Sequence, residues 1–231
     1  MMRVSTIASV FGVGLAVAGA MKAQDSPGIL LLVSANTDIY RASGYNDGSN
    51  GVAPFPYTFP AAPGQVLAFS AIVGQWTCAD PNGAPYGPDG TRNSAETACY
   101  PRASISNPIG AFSGYDATDY TGALVGVFLE DTLPGSAPPP LRFYVTDSSQ
   151  GGIQTNFTTL SPLIGQVFFV GDGLTGTGAG AVQTFQVPAT ATRLFLGYVD
   201  SCSASGKTSP GCYTDNGGAI AAVFRLYEAS N

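Results

Sequence analysis

The chain has 231 residues, of which 15 are Asp or Glu, nine are Lys or Arg and none is His, giving a net charge of −6. Only 10% of residues are charged and 45% are apolar, the opposite of the balance that keeps a chain disordered. Lacking His, it cannot host a Ser-His-Asp or Cys-His nucleophile system, a His-ligated zinc or an imidazole proton shuttle, and lacking a Lys/Arg cluster it offers no footprint for nucleic acid.

The classes left are a binder of neutral ligands, a structural protein, or an enzyme that works with carboxylates alone. Residues 1–23 read as a signal peptide: Arg3 supplies the positive charge and residues 7–20 an apolar stretch of 14 residues. That is short of the about 20 residues needed to span a bilayer core. Ala18 and Ala20 fit an A-x-A cleavage site, and a second candidate cut follows Ala23. The alternative is an uncleaved membrane anchor. No later run of 18 apolar residues exists, so the expected mature chain, residues 24–231, is a single domain without a membrane span, secreted to the extracellular space or periplasm.

Short runs rich in Val, Phe, Tyr, Leu and Ile follow, separated by Gly, Pro, Asn and Asp clusters; helical periodicity is hard to find. The pattern predicts strands near 28–33, 66–72, 124–128, 141–145, 166–170, 182–187, 193–199 and 219–226. The 124–128 run looks buried on both faces, and 182–187 alternates like a half-buried strand. Turns are expected at Asn46-Asp47-Gly48, Asn82-Gly83, Asp89-Gly90, Asp172-Gly173 and Asn216-Gly217. Many short strands joined by Gly/Pro turns point to an all-β fold, a β-sandwich of jelly-roll type. The Pro-rich stretch 134–140 reads as a surface loop.

Four cysteines in an exported chain point to two disulfides. Cys78–Cys99 with Cys202–Cys212 is favoured because each closes a short loop, and Cys78–Cys212 with Cys99–Cys202 stays open. No C-x-x-C motif is present.

Several apparent motifs reduce to structure. Gly171-Asp172-Gly173-Leu174-Thr175-Gly176 matches G-x-G-x-x-G, but the Thr177-Gly178-Ala179-Gly180 that follows cannot nucleate the helix dinucleotide binding needs. Glu130-Asp131 are neighbours on a strand and face opposite sides, so they cannot flank one glycosidic bond. Asp116 and Asp119 fall in a loop and are expected to be solvated. Asn156-Phe157-Thr158 is an N-glycosylation sequon, relevant only in a eukaryotic source.

The C-terminal segment is the most informative. Tyr198-Val199-Asp200 ends a strand, and Cys212-Tyr213-Thr214-Asp215-Asn216-Gly217-Gly218 opens the next. Carboxylates, an amide oxygen and main-chain carbonyls on a constrained turn are what Ca²⁺ binds; the bland alternative is a hairpin turn. The run Leu194-Phe195-Leu196-Gly197-Tyr198-Val199-Asp200 followed by Cys212 to Ile220 resembles the bacterial galactophilic lectins, calcium-dependent galactose-binding jelly rolls of the galactose-binding-domain-like type. Pro63-Gly64-Gln65-Val66-Leu67-Ala68-Phe69 into Gly74-Gln75-Trp76-Thr77-Cys78 resembles their second strand and next loop, and Tyr86-Gly87-Pro88-Asp89-Gly90 the loop after that.

That resemblance implies a lectin-like carbohydrate-binding protein with Ca²⁺ held by Asp200, Asp215, Asn216 and the carbonyls of Cys78 and Cys212. It implies sugar contacts from Asp200, Asp215 and Asn216, with an aromatic over the ring's C–H face from Trp76, Tyr86 or Tyr213. Trp76 can equally be a core residue. The family's paired Asn-Asn falls on Asp215-Asn216, and its sugar-bonding His has no counterpart, Ser94 lying nearest. The loop between Asp200 and Asp215 is longer than the family's, and extra material occupies 103–119 and 131–157. No catalytic residue is expected. The implied partner is a galactose-like or other glycan, with a homo-oligomer as an option. The competing readings are a structural or adhesive protein whose calcium only pins loops and, last, a hydrolase using two carboxylates.

Overall fold

The computed structural model describes residues 28–77, 85–92, 104–117, 120–146, 148–201 and 210–228. The expected signal segment lies outside them, as do Cys78, Cys99, Cys202, Ser94 and Asp119. Cys212 is described and is not a free thiol.

The chain opens with β1 (Ile29–Ser34), a 3-10 segment (Ile39–Gly44), β2 (Tyr57–Thr58) and the long β3 (Val66–Thr77). Next come β4 (Thr91–Arg92), β5 (Tyr115–Ala117), β6 (Tyr120–Thr121) and β7 (Val125–Leu129). The stretch that follows adds β8 (Leu141–Tyr144), β9 (Ile153–Gln154), β10 (Thr159–Leu160) and β11 (Phe168–Phe169). The chain then forms β12 (Leu174–Gly176), β13 (Ala179–Val182), β14 (Thr184–Gln186), β15 (Arg193–Gly197) and β16 (Gly217–Tyr227). Helix among the described residues is limited to two 3-10 segments, so the expected all-β class holds.

Two sheets make a β-sandwich: β1-β16-β3-β14-β10 on one side and β11-β7-β15-β2 on the other. The inner strand β16, between β1 and β3, alternates as a half-buried strand should, turning Ile220, Ala222 and Phe224 into the core. The expectation for 124–128 is met by β7, whose five residues are all buried. Aromatic rings join the layers: Phe168 packs 5.2 Å from Phe185 and Tyr57 5.1 Å, edge-on, from Phe224.

Some expected elements differ in detail. The strand starting at Val66 runs five residues past the expected end because β16 pairs with it as far as Thr77, opposite Gly217, which carries Trp76 into the core. The single strand expected at 182–187 breaks at Gln183. That side chain turns inward and donates to the carbonyls of Thr155 (2.8 Å) and Phe157 (2.7 Å), leaving Val182 outside. Asp116, expected to be solvated, is buried on β5 and ion-paired with Arg142 at 3.0 Å. The G-x-G-x-x-G match leads into the β12–β13 hairpin. No helix of the described residues is long and apolar enough to cross a membrane.

Candidate functional site

The C-terminal ends of β1, β3 and β15 and the start of β16 lie at the same end of the sandwich. Antiparallel pairing sets Ser34 and Gln75 beside Ala219, and an isolated bridge joins Tyr198, just past β15, to Asp38. The chain entering β16 can turn here because Gly218 adopts φ +90°, where a Cβ would sit 2.4 Å from the Gln75 carbonyl oxygen.

Asp200, Asp215 and Asn216 come together. The Asn216 amide donates to Asp200 Oδ2 at 3.0 Å and to the Ala35 carbonyl at 3.1 Å. With its Nδ2 so engaged, the buried Asn216 Oδ1 has no hydrogen-bond partner, and neither has the buried Asp215 Oδ1. Burial pushes the Asp200 carboxyl up to about 7; the Asn216 bond pulls it down, and the Asp215 charge raises it further. Two carboxylates and one amide share this corner, and two of their oxygens, Asp215 Oδ1 and Asn216 Oδ1, are buried with lone pairs unused, an arrangement that suits a hard cation with oxygen ligands. No group of three His, Cys, Asp or Glu side chains is found among the described residues, so a cation here would draw on the amide and main-chain oxygens as well. Cys212 directly precedes Tyr213 in the same loop. Cys78 lies outside the described residues, and its expected carbonyl is not placed.

The three aromatics fall in different places. Tyr213 is fully buried. Its hydroxyl lies 3.0 Å from Asp38 Oδ1 and 3.2 Å from the Tyr198 carbonyl, and it accepts from the Asp200 amide at 3.0 Å. Trp76 is 1% exposed, its ring 4.6 Å from that of Tyr198. A Cβ on Gly122 would lie 2.1 Å from the indole. In this arrangement neither ring presents a face to solvent, and of the two readings of Trp76 its surroundings are those of a core residue. Tyr86 is half-buried, exchanges two backbone hydrogen bonds with Trp76 (3.0 and 2.7 Å) and sets its ring edge-on to the indole.

A second group of side chains, carrying little signal in the sequence, braces this corner. Asp38 is fully buried and accepts from the Tyr40 amide at 2.9 Å and from the Ser49 hydroxyl. Burial, with Asp47 hydrogen-bonded beside it, raises its carboxyl to about 7. Asn50 accepts from the Tyr213 amide at 3.0 Å and reaches Thr214 at 3.3 Å. The one signal was Asn46-Asp47-Gly48, which does form a turn, its side chains accepting from the amides of Gly48 (3.0 Å) and Ser49 (2.9 Å). The same turn carries Ser49 and Asn50 against the C-terminal loop. Elsewhere, Glu130 and Asp131 accept from Thr190 and Thr192.

No protein-family model matches the chain, and no curated protein is significantly similar to it.

Proposed function

We propose that the protein is an exported, calcium-dependent carbohydrate-binding protein with a jelly-roll sandwich like that of the galactophilic lectins. The observation that carries this reading is the convergence of Asp200, Asp215 and Asn216, with two buried oxygens lacking partners. Calcium would be held by those three side chains and by the carbonyls of Cys212 and Cys78. Bound there, it would take vicinal sugar hydroxyls as ligands, while the carboxylates and the amide oxygen accept the hydroxyl protons. Tyr86 is the expected aromatic able to offer surface to the ring's C–H face. The missing His weakens the case for galactose over other neutral sugars. Export follows from the N-terminal signal, and two disulfides, Cys202–Cys212 among the options, would pin the long loop before Tyr213.

The test is a calorimetric titration with Ca²⁺ followed by a glycan array with and without EDTA. Saturable Ca²⁺ binding, calcium-dependent glycan signals, and loss of both on Asp200→Ala are expected. Absence of Ca²⁺ binding overturns the reading.

A second reading is favoured by one observation: Trp76 and Tyr213 are buried, and the corner ties three loops together. Here calcium is purely structural, in an adhesive or scaffolding protein. It predicts a calcium-dependent rise in melting temperature together with a blank array.

A further inference from the structure

We propose that a second, metal-independent saccharide subsite lies in the cavity between the 153–156 segment and the β12–β13 hairpin. This goes beyond the calcium reading and does not rest on it. The cavity holds about 210 Å³ and is lined by Gln154, Thr155, Asn156, Phe169, Thr175 and Thr177, among others. That is below the ~300 Å³ lower end for drug-sized ligands, which suits one sugar-sized unit rather than a chain.

The lining decides the ligand class. It contains two side-chain amides and three hydroxyls together with Val145, Leu174 and Phe169, and the Gln154 amide donates to the Val145 carbonyl at 3.2 Å. Amides and hydroxyls both donate and accept, as a ring of sugar hydroxyls requires, and the apolar groups match a pyranose C–H face. No Lys or Arg lines the cavity, so it has no complement for an anion. Its one carboxylate, Asp89, is committed: Oδ1 accepts from the Asp172 amide at 2.8 Å, and the Thr177 hydroxyl is also bonded to it. Asp172 in turn accepts from the amides of Leu174 (2.9 Å) and Gly178 (2.6 Å). One carboxylate falls short of the several charged oxygens a hard cation gathers, and a neutral polyol is the class that remains.

The walls are tied before any ligand arrives. Gln183 clamps the carbonyls of Thr155 and Phe157, the Thr155 amide donates to the Tyr144 carbonyl at 2.9 Å, and Thr175 accepts from Ala181 at 3.1 Å. Little ordering would accompany binding. None of these residues belongs to the Asp200 corner.

The test is saturation-transfer NMR on the mature chain in EDTA, with methyl glycosides of galactose, glucose, mannose, fucose and N-acetylglucosamine as probes. The protein is made in bacteria, so that a glycan on the Asn156 sequon cannot cover the mouth. At least one glycoside should give transfer in EDTA, and Asp200→Ala should leave it unchanged. Asn156→Trp, at an exposed rim position, should remove it, and Gln154→Ala should weaken binding about tenfold by shift titration. No transfer from any probe in EDTA overturns the subsite while leaving the calcium reading untouched. Transfer that survives Asn156→Trp in a folded variant also overturns it. Transfer in EDTA from a protein that binds no Ca²⁺ supports the subsite and removes only the calcium reading.

Discussion

The hydroxyl of Tyr213 lies 3.0 Å from Asp38 Oδ1, joining a residue just past β1 to the loop that enters β16. It also accepts from the Asp200 backbone amide, so one phenol links the buried Asp38 carboxyl to the main chain at Asp200. Tyr213→Phe keeps the ring and removes the bridge, leaving the Asp200 amide without this acceptor. An unsatisfied buried polar group costs about 1–3 kcal/mol, and a chain of this size loses about 2–4 °C per kcal/mol. A melting temperature lower by several degrees is expected by calorimetry; an unchanged one means the bridge contributes nothing.

Asp38 and Asp200 also give stability a definite pH dependence. Burial pushes both carboxyls up to about 7 in the fold, against 3.8 as the ordinary value. Between about pH 4 and 7 the folded state therefore binds more protons than the unfolded chain, and stability falls as pH rises through that window. Each carboxyl contributes about 1.4 kcal/mol per pH unit, so the two together amount to about 8 kcal/mol across the window, and a drop of roughly 15–30 °C is expected in EDTA. A melting temperature flat or rising between pH 5 and 8 contradicts this. Asp38→Asn should reduce the slope by about half, because its side chain no longer titrates and Asp200 still does.

Calcium should reverse part of that slope. A bound cation needs Asp200 and Asp215 deprotonated, so Ca²⁺ should raise the melting temperature more at pH 8 than at pH 5. Asp215→Asn restores the Asn-Asn pair of the lectin pattern and removes a charge that raises Asp200. We expect it to stabilise the metal-free protein slightly and to weaken Ca²⁺ binding about tenfold, roughly 1.4 kcal/mol. Equal or tighter Ca²⁺ binding by this variant means that the charge of Asp215 adds nothing to the site.

How much of this was legible in the sequence depended on whether the signal was local. The strands β1, β3, β15 and β16 announce themselves by apolar runs between turn residues. Asp200, Asp215 and Asn216 stand beside strand ends and were readable as oxygen donors. The two-residue strands β2, β9 and β10 carry too few residues to show a period. The bracing role of Asp38, Ser49 and Asn50 was hidden for another reason. Asn50 and Tyr213 are 163 residues apart, and nothing in an Asn-Asp-Gly turn says which distant loop it will meet. Gln183 was hidden too, since a polar residue in an alternating strand reads as outward until the carbonyls it satisfies are known.

Trp76 separates packing from recognition. Its indole lies between Tyr198, Tyr86 and the backbone at Gly122, whose φ of +71° and close approach leave no space for a Cβ. The only tryptophan of the chain should therefore emit as a buried fluorophore, and saturating sugar in the presence of Ca²⁺ should leave its spectrum nearly unchanged. Trp76→Phe should lower stability by about 1–3 kcal/mol, as core truncations of this size do, and keep glycan affinity within about twofold. Tyr86→Ala should do the reverse to affinity, weakening Ca²⁺-dependent binding about tenfold. Glycoside titrations monitored by NMR would decide between them. A folded Trp76→Phe variant that no longer binds sugar would mean that the indole leaves the core to meet its ligand.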